Sequence, residues 1–376
     1  MKSLEEIRTE LDQIDNNMVK LFEDRMKLCE EVARYKIQNK MKVLDRSREE
    51  QKLDAVAEKT NSEFNRVCIK EVYRQLMAMS RKLQNNIIAE ENPCDSGEFS
   101  VVEKLQSEGK PLVFQGMEGS YSQAALQQYF GDHRQVFHVD TFKEAFENIE
   151  NGDALYAVLP MENSSSGAVH QVFDLLMEHD AYIVDEIYLP VKHALAVVPG
   201  TTFSDISKVF SHPQGLMQCS KYLEQHNNWQ QIGIDNTAFA AMKIAKDKDR
   251  SQAAICSEYA AEIYGLEILQ KGLNQEADNT TRFVVISNRK IYRKCAEKIC
   301  ICFEILHESG SLYRMLSNFI YNNINMTKIE SRPVEGKKFE YSFFVEFEGN
   351  LGDPGVLSAL NGIREESAKF KILGNY

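Results

Sequence analysis

For its first ninety residues the chain contains neither proline nor glycine, and apolar residues recur at heptad spacing: Leu4, Ile7, Leu11, Ile14, Met18 and Leu21, then Leu28, Val32 and Tyr35. A sustained heptad stripe without helix breakers predicts a long α-helix. That helix, roughly 34 residues at about 1.5 Å each, would extend about 50 Å. Further helical patterns near residues 46–60 and 62–88 make 1–90 an all-α segment. So short a segment cannot cover the apolar side of so long a helix, and an intertwined dimer is the natural way to bury it.

At 376 residues the chain exceeds one hydrophobic core and suggests two or three domains. No apolar run approaches the roughly 20 residues that span a bilayer. The opening MKSLEEIRTELD has acids where a signal peptide needs an apolar core, so export and a membrane location are not expected. The eight cysteines are scattered, with no CxxC and no Cys/His cluster at zinc spacing, as free thiols in a reducing cytoplasm would be. Residues 1–90 hold 18 Lys+Arg against 17 Asp+Glu, leaving 26 against 39 for the remainder of a chain whose net charge is −12. Nucleic acid is a poor partner for such a chain, and any bound anion needs locally concentrated positive charge.

The polar stretch 91–110 reads as a linker with some helix. From Pro111, short apolar strands (LVFQG, ALYAVLP, KVFSH, QAAICS, RFVVIS) alternate with helical stretches (SQAALQQYF, HQVFDLLMEH, TAFAAMKIAKD), predicting an α/β segment with a parallel sheet. Between them AYIVDEIYLPVKHALAVVPG reads as paired long strands carrying the chain between two lobes with a cleft. Residues 297–376 follow a βαββαβ order, which is ferredoxin-like.

Within the helical segment, Arg25 falls where the heptad stripe calls for an apolar residue, and Lys36 lies three turns on, within about 20° of the same face. A buried cation needs an anion. That anion could be an acid of a neighbouring helix, or the stem could snorkel outward. DRSRE places Asp45, Arg48 and Glu49 on one face, where Ser47 and Glu50 also fit a capping box. Ser80 and Gln84 share a face of the third helix. Arg8 lies about 100° round from Arg25, which suits contact with a different subunit. Together Arg8, Arg25, Lys36, Asp45, Arg48, Glu49, Ser80 and Gln84 resemble the all-helical chorismate mutase family. By that resemblance Arg25, Arg48 and Arg8 of the other protomer hold the two carboxylates of chorismate, and Lys36 and Gln84 donate to its ether oxygen. Glu49 contacts a substrate hydroxyl, and Asp45 orients it or a neighbouring cation.

In the α/β segment GMEGSYS (116–122), ENSSSGAV (162–169), SHPQGLMQC (211–219) and DNTAFAA (235–241) are expected at strand-to-helix junctions. Each could hold a carboxylate on its free N–H groups, or be simple capping. In the third, Ser211 is the expected cap, Gln218 points inward, and Cys219 lies about two turns down, so a Cys/His nucleophile pair with His212 is not expected. In DNTTRFVVIS (278–287), Thr281 beside Arg282 could clamp a carboxylate, or be a β-forming threonine pair before a surface arginine. Taken together these elements resemble prephenate dehydratases over about 111–287. The resemblance implies a two-lobed, periplasmic-binding-protein-like fold with Thr281 as the leading catalytic residue. Glu162, Asn163, Ser211, Gln218, Arg282 and Phe283 would bind substrate. Met117-Glu118 and Ser164–Ser166 depart from the family pattern without touching that chemistry.

ESRP at 330–333 and the C-terminal strand order resemble ACT domains, which implies phenylalanine binding at Gly310, Ser311 and Leu312 with Glu330, Ser331, Arg332 and Pro333. In the turn SGSL, Ser309 and Ser311 depart from the usual residues; a dimerisation module without ligand is the alternative. The expectation is a bifunctional chorismate mutase/prephenate dehydratase of phenylalanine biosynthesis, feedback-inhibited by phenylalanine. It would have a helical mutase domain (1–90), a linker (91–110), a dehydratase domain (111–290) and an ACT domain (297–376), form a dimer or tetramer, and need no cofactor or metal. An NAD-dependent dehydrogenase would need GxGxxG, and GMEG is only GxxG. A two-lobed amino-acid sensor with a helical dimerisation arm and no activity is the remaining alternative.

Overall fold

The computed structural model describes the chain except residues 1, 92–98, 107–108, 132–133, 277, 307, 309, 335 and 338–339; part of the expected linker and Ser309 lie outside the described residues. Two compact units result, Met1–Phe99 with Glu297–Lys371, and Ser100–Ala296 with Ile372–Tyr376.

The first unit opens with α1 (Leu4–Gln38), α2 (Arg46–Ala57) and α3 (Glu63–Glu91). A capping box between Ser3 and Glu6 starts α1. At α2 the cap is Asp45, which accepts from the Arg48 N–H, rather than the expected Ser47. Of the α1 side chains only Ala33 is buried. The heptad stripe is open to solvent in the single chain, with Leu11 52% and Ile14 55% exposed.

The second unit begins with β1 (Ser100–Val102), so the expected linker contributes a strand. One lobe follows with β2 (Leu112–Gln115), α4 (Tyr121–Phe130), β3 (Val136–Val139), α5 (Phe142–Glu150), β4 (Tyr156–Asn163), β5 (Gly167–Ala168), α6 (His170–Glu178) and β6 (Tyr182–Pro190). The other has β7 (His193–Val197), β8 (Lys208–Ser211), α7 (Pro213–Gln218), α8 (Ser220–Leu223), β9 (Gln230–Gly233), α9 (Thr237–Asp247), β10 (Gln252–Ser257), α10 (Glu258–Ile263) and β11 (Glu267–Lys271). The chain returns through β12 (Thr280–Ser287) and β13 (Ile291–Arg293), which pairs with β1. Strand order is β6-β12-β4-β2-β3 in the first lobe and β11-β7-β10-β8-β9 in the second.

Both sheets are mixed rather than parallel: β12 runs antiparallel to β4 and β6, and β7 antiparallel to β10 and β11. The expected strand pair at 181–200 does carry the chain between lobes. Its halves, β6 and β7, nonetheless sit in different sheets, because each finds an apolar face to complete. Leu112, Phe114, Tyr156 and Phe283 fill one core, and Leu195, Val209, Trp229 and Ile255 another.

The remainder of the first unit consists of β14 (Lys298–Glu304), α11 (Ser311–Tyr321), β15 (Met326–Pro333), β16 (Tyr341–Glu348), α12 (Pro354–Glu366) and the start of β17 (Lys369–Asn375), whose residues from Ile372 on are counted with the second. The order β15-β16-β14-β17 is the ferredoxin-like arrangement that βαββαβ predicts. Helices α11 and α12 approach so closely that a Cβ on Gly362 would lie 2.3 Å from Asn318 Oδ1. Any larger residue there would displace the Asn318 amide.

Candidate functional site

In the helical segment, Arg25 reaches from α1 to α3, donating to Ser80 Oγ and, at 3.2 Å, to the Leu76 carbonyl. Among the described residues no carboxylate pairs with Arg25, so neither bland expectation holds: its cation is half-buried and met only by neutral acceptors. Lys36 Nζ likewise donates to a neutral acceptor, the Val43 carbonyl at 2.6 Å. Burial lowers its pKa, while Glu365, Asp45 and Glu49 act in the opposite direction. Ser80 and Gln84 are buried one turn apart on α3, and Gln84 Oε1 has no hydrogen-bond partner. Arg8 and Arg48 are exposed. Arg25, Lys36 and Ser80 therefore present donors, and Gln84 Oε1 an unmet acceptor, with the carboxylates of Asp45, Glu49 and Glu365 acting on Lys36, a mixed polar cluster.

Glu49 is held by Arg81, a residue the sequence reading missed. Arg81 Nη1 donates to both Glu49 oxygens at 2.6 and 2.7 Å, and Nη2 to Glu366 at 2.7 Å. Its only signal was an arginine next to Ser80 on a largely covered helix. A cavity of about 670 Å³ beside this cluster is lined by Glu49, Arg81 and Glu366, and by Gly310, Ser311 and Arg314 at the start of α11.

In the second unit Thr281 lies opposite Asn163 across β12 and β4. Asn163 Nδ2 donates to Thr281 Oγ1 at 2.9 Å and to Asn279 Oδ1 at 2.8 Å. Its Oδ1 accepts from the backbone and hydroxyl groups of Ser165 and Ser166. These partners set the amide's orientation. Because an amide nitrogen can only donate, Thr281 Oγ1 is the acceptor and its own proton stays available. Thr281 is only 9% exposed.

The serine run, expected at a helix start, instead forms the turn between β4 and β5 and links the lobes. Ser165 Oγ accepts from Gln218 Nε2 at 2.9 Å, and Gln218 Oε1 lies 3.0 Å from His193 Nε2. With Nε2 of Gln218 donating, its oxygen accepts, which places the His193 proton on Nε2. His193 Nδ1 then faces the Tyr121 hydroxyl at 3.1 Å. His193 and Tyr121 were not foreseen, since nothing local in sequence marks a histidine at a strand start.

Burial lowers the His193 pKa from 6.5, the Gln218 hydrogen bond opposing it. A lowered folded pKa means that the unfolded chain takes up its proton first as pH falls. The stability that this neutral imidazole contributes is complete above 6.5 and is lost below it, down to the folded value. We expect the thermal midpoint of the second unit to drop on acidification through this window, and the drop to shrink in His193→Gln. Calorimetry across pH checks it; equal drops in both chains would refute the assignment.

Other sequence expectations shift. Arg282 pairs with Glu162 and Glu186, each at 3.3 Å, on the face of β12 opposite Thr281, because successive strand residues alternate. Arg282 and Glu162 therefore help tie β4, β6 and β12 together. Phe283, expected against substrate, is 1% exposed within the core, where the lobe needs a large apolar side chain. Ser211 does not cap α7; His212 does, through Nδ1. The Ser211 hydroxyl donates to the Ile255 carbonyl at 2.7 Å, and a Cβ on Gly215 would lie 2.7 Å from it. Cys219 is buried with its pKa raised to about 12, so it carries no thiolate for nucleophilic attack. Ser120 and Asn236 are ordinary N-caps.

Gly310 adopts a left-handed conformation with φ 77° immediately before α11, and Ser311 Oγ accepts from Arg314. Leu312 is the next residue of α11. On the edge strand β15, Glu330 and Arg332 are half-buried, while Ser331 and Pro333 are exposed. Among the described residues no three His, Cys, Asp or Glu side chains converge as metal ligands, and no helix is long and apolar enough to cross a membrane.

Comparison with known proteins shows two family matches along the chain. The prephenate dehydratase family matches residues 112–291, and the chorismate mutase type II family residues 7–85. Arogenate dehydratase 3, chloroplastic, of Arabidopsis thaliana is 38% identical over 70% of this chain, which spans 66% of that relative, just under two thirds of its length. The bifunctional chorismate mutase/prephenate dehydratase of Aquifex aeolicus is 30% identical over 100% of this chain and 98% of its own. A prephenate dehydratase structure from Arthrobacter aurescens in complex with L-Phe superposes with a TM-score of 0.66 at 29% identity, covering 71% of this chain and 89% of that one. Two family matches in succession, and a bifunctional relative 30% identical over 100% of this chain and 98% of its own, show that this chain belongs to the bifunctional chorismate mutase/prephenate dehydratase family.

Proposed function

We propose that the chain performs two successive reactions of phenylalanine biosynthesis: rearrangement of chorismate to prephenate, then decarboxylation and dehydration of prephenate to phenylpyruvate. The observation that carries the reading is that one chain holds both donor sets, Arg25 met only by neutral acceptors and Thr281 with a free hydroxyl proton. The division of labour is residues 1–90 for the mutase, 111–290 for the dehydratase and 297–376 for control.

In the first reaction one C–O bond breaks as a C–C bond forms, with no net proton transfer. The protein's task is to hold a flexible dianion in its reactive conformer and stabilise the oxygen that gains charge. Arg25 and Arg48, with Arg8 of a second copy, bind the carboxylates. Lys36 and Gln84 serve the ether oxygen, Ser80 positions Arg25, Glu49 takes the hydroxyl, and Asp45 orients α2. The exposed stripe of α1 supports a homodimer or larger oligomer, because a second copy both covers it and supplies Arg8.

In the second reaction the ring carboxylate leaves as CO₂ and its electron pair enters the ring. The ring hydroxyl departs as water, taking one proton. Thr281 donates toward that oxygen, held by Asn163 and by the Ser165–Gln218 link across the lobes. Ser211 supports the start of α7 from beneath. The C-terminal segment is an ACT domain that binds phenylalanine through Gly310, Ser311, Leu312 and the 330–333 strand; its strand order and the L-Phe-bound relative support this. Buried thiols outside any disulfide, such as Cys219, Cys256 and Cys302, accord with a cytoplasmic location.

Greater identity to arogenate dehydratases favours one variant reading, in which the second site also accepts arogenate, the amino counterpart of prephenate. A mutase domain in the same chain argues for prephenate as the main substrate. The test supplies chorismate, prephenate or arogenate to the purified chain and follows phenylpyruvate by its absorbance in base, and phenylalanine by chromatography. Phenylpyruvate from chorismate is expected. No product from any substrate would leave the sensor reading standing.

A further inference from the structure

The last two residues of α12, Glu365 and Glu366, each reach a side chain of the mutase site through one intermediary. Glu366 accepts from Arg81 Nη2 at 2.7 Å, while Arg81 Nη1 holds both oxygens of Glu49. Glu365 accepts from the Val43 N–H at 3.3 Å, and the Val43 carbonyl holds Lys36 Nζ at 2.6 Å. Arg81 is well covered, with its side chain 13% exposed, and its two carboxylates are 25% and 17% exposed. A guanidinium is a planar fork whose direction is set by whatever occupies its arms. With Glu366 on one arm, the other arm points at Glu49 and leaves that carboxylate spare lone pairs for a further donor. Without Arg81, two partly buried carboxylates would face each other and a doubly acidic substrate, a repulsive arrangement.

We propose that Arg81 is a positioning residue for Glu49 and that the C-terminal segment, through Glu366, completes the mutase site. The inference rests on the mutase reading above and goes beyond it: mutase competence depends on the end of α12, hundreds of residues away in sequence. The same fork lines the cavity that Gly310 and Ser311 border, so the start of α11 and Glu49 share one wall.

The experiment uses the full chain and measures mutase kcat and KM with chorismate for Glu366→Gln, Arg81→Lys, Glu49→Gln and the double substitution Glu49→Gln/Glu366→Gln. Dehydratase turnover of prephenate serves as the control for an intact second unit. Glu366→Gln is expected to lower mutase kcat/KM about tenfold, and Arg81→Lys, whose single ammonium cannot serve both carboxylates in fixed geometry, by up to about a hundredfold. If Glu366 acts through Glu49, the double substitution loses no more than Glu49→Gln alone. Mutase constants unchanged in Glu366→Gln and Arg81→Lys, or losses that multiply in the double substitution, would overturn the proposal. Should Glu366→Gln melt below assay temperature, Arg81→Lys carries the same comparison, paired with Glu49→Gln. An unsubstituted chain without mutase turnover would instead sink the functional reading itself.

Discussion

Thr281→Val should stop the dehydratase step while chorismate still becomes prephenate, which then accumulates. Valine keeps the shape of threonine and its preference for a strand, so β12 should pair with β4 and β6 as before. Asn163 Nδ2 loses one acceptor but keeps Asn279 Oδ1 and the Thr280 carbonyl. What disappears is the hydroxyl proton that the proposed mechanism directs at the leaving oxygen. Removing a positioned acid or donor slows such steps by about 10²- to 10⁴-fold, or about 3–5 kcal/mol of barrier. Thr281→Ser, which keeps the hydroxyl but frees its rotation, should retain much of the rate. The measurement is kcat for prephenate under saturation together with mutase kcat; dehydratase turnover within a factor of about two of the parent would remove Thr281 from the mechanism.

Arg25→Ala should do the reverse, lowering mutase kcat/KM by about 10²- to 10³-fold, as loss of a fixed charge-stabilising donor does, and leaving prephenate turnover intact. Its direct contacts are a serine hydroxyl and a backbone carbonyl, both able to find other donors, so the fold should lose little. Arg25→Lys should not restore activity, because an ammonium cannot reproduce the two-armed grip of a guanidinium. Arg8→Ala should match the loss. If Arg8 serves the neighbouring copy's site, mixing unfolded Arg8→Ala and Arg25→Ala chains and refolding them together regenerates some intact sites. No recovery in the mixed sample, with each chain shown to refold, would place both arginines in one protomer's site or in none.

Much of this was legible because it is written in local pattern. The proline-free heptads specify α1, the alternation of short apolar runs with amphipathic stretches specifies the α/β unit, and the C-terminal order specifies its sheet. Arg25, whose polarity conflicts with the periodicity of the stripe, marked from sequence the cluster proposed as the first site. Local pattern failed where a residue's role depends on what lies across from it. Strand alternation sent Arg282 to Glu162 and Glu186 rather than toward Thr281. A core lacking a large apolar group claimed Phe283. Ser165 and Gln218 meet only because residues of two lobes come together.

By itself, then, the amino-acid order determined which helices and strands form and which polar residues sit on faces that should be apolar, since periodicity and breakers act over a few neighbouring residues. Partnership was decided by tertiary structure alone. Arg81 became a fork between Glu49 and Glu366 because α3 packs against α12, and hydrogen bonds and ion pairs form between groups brought near in space, whatever their separation along the chain.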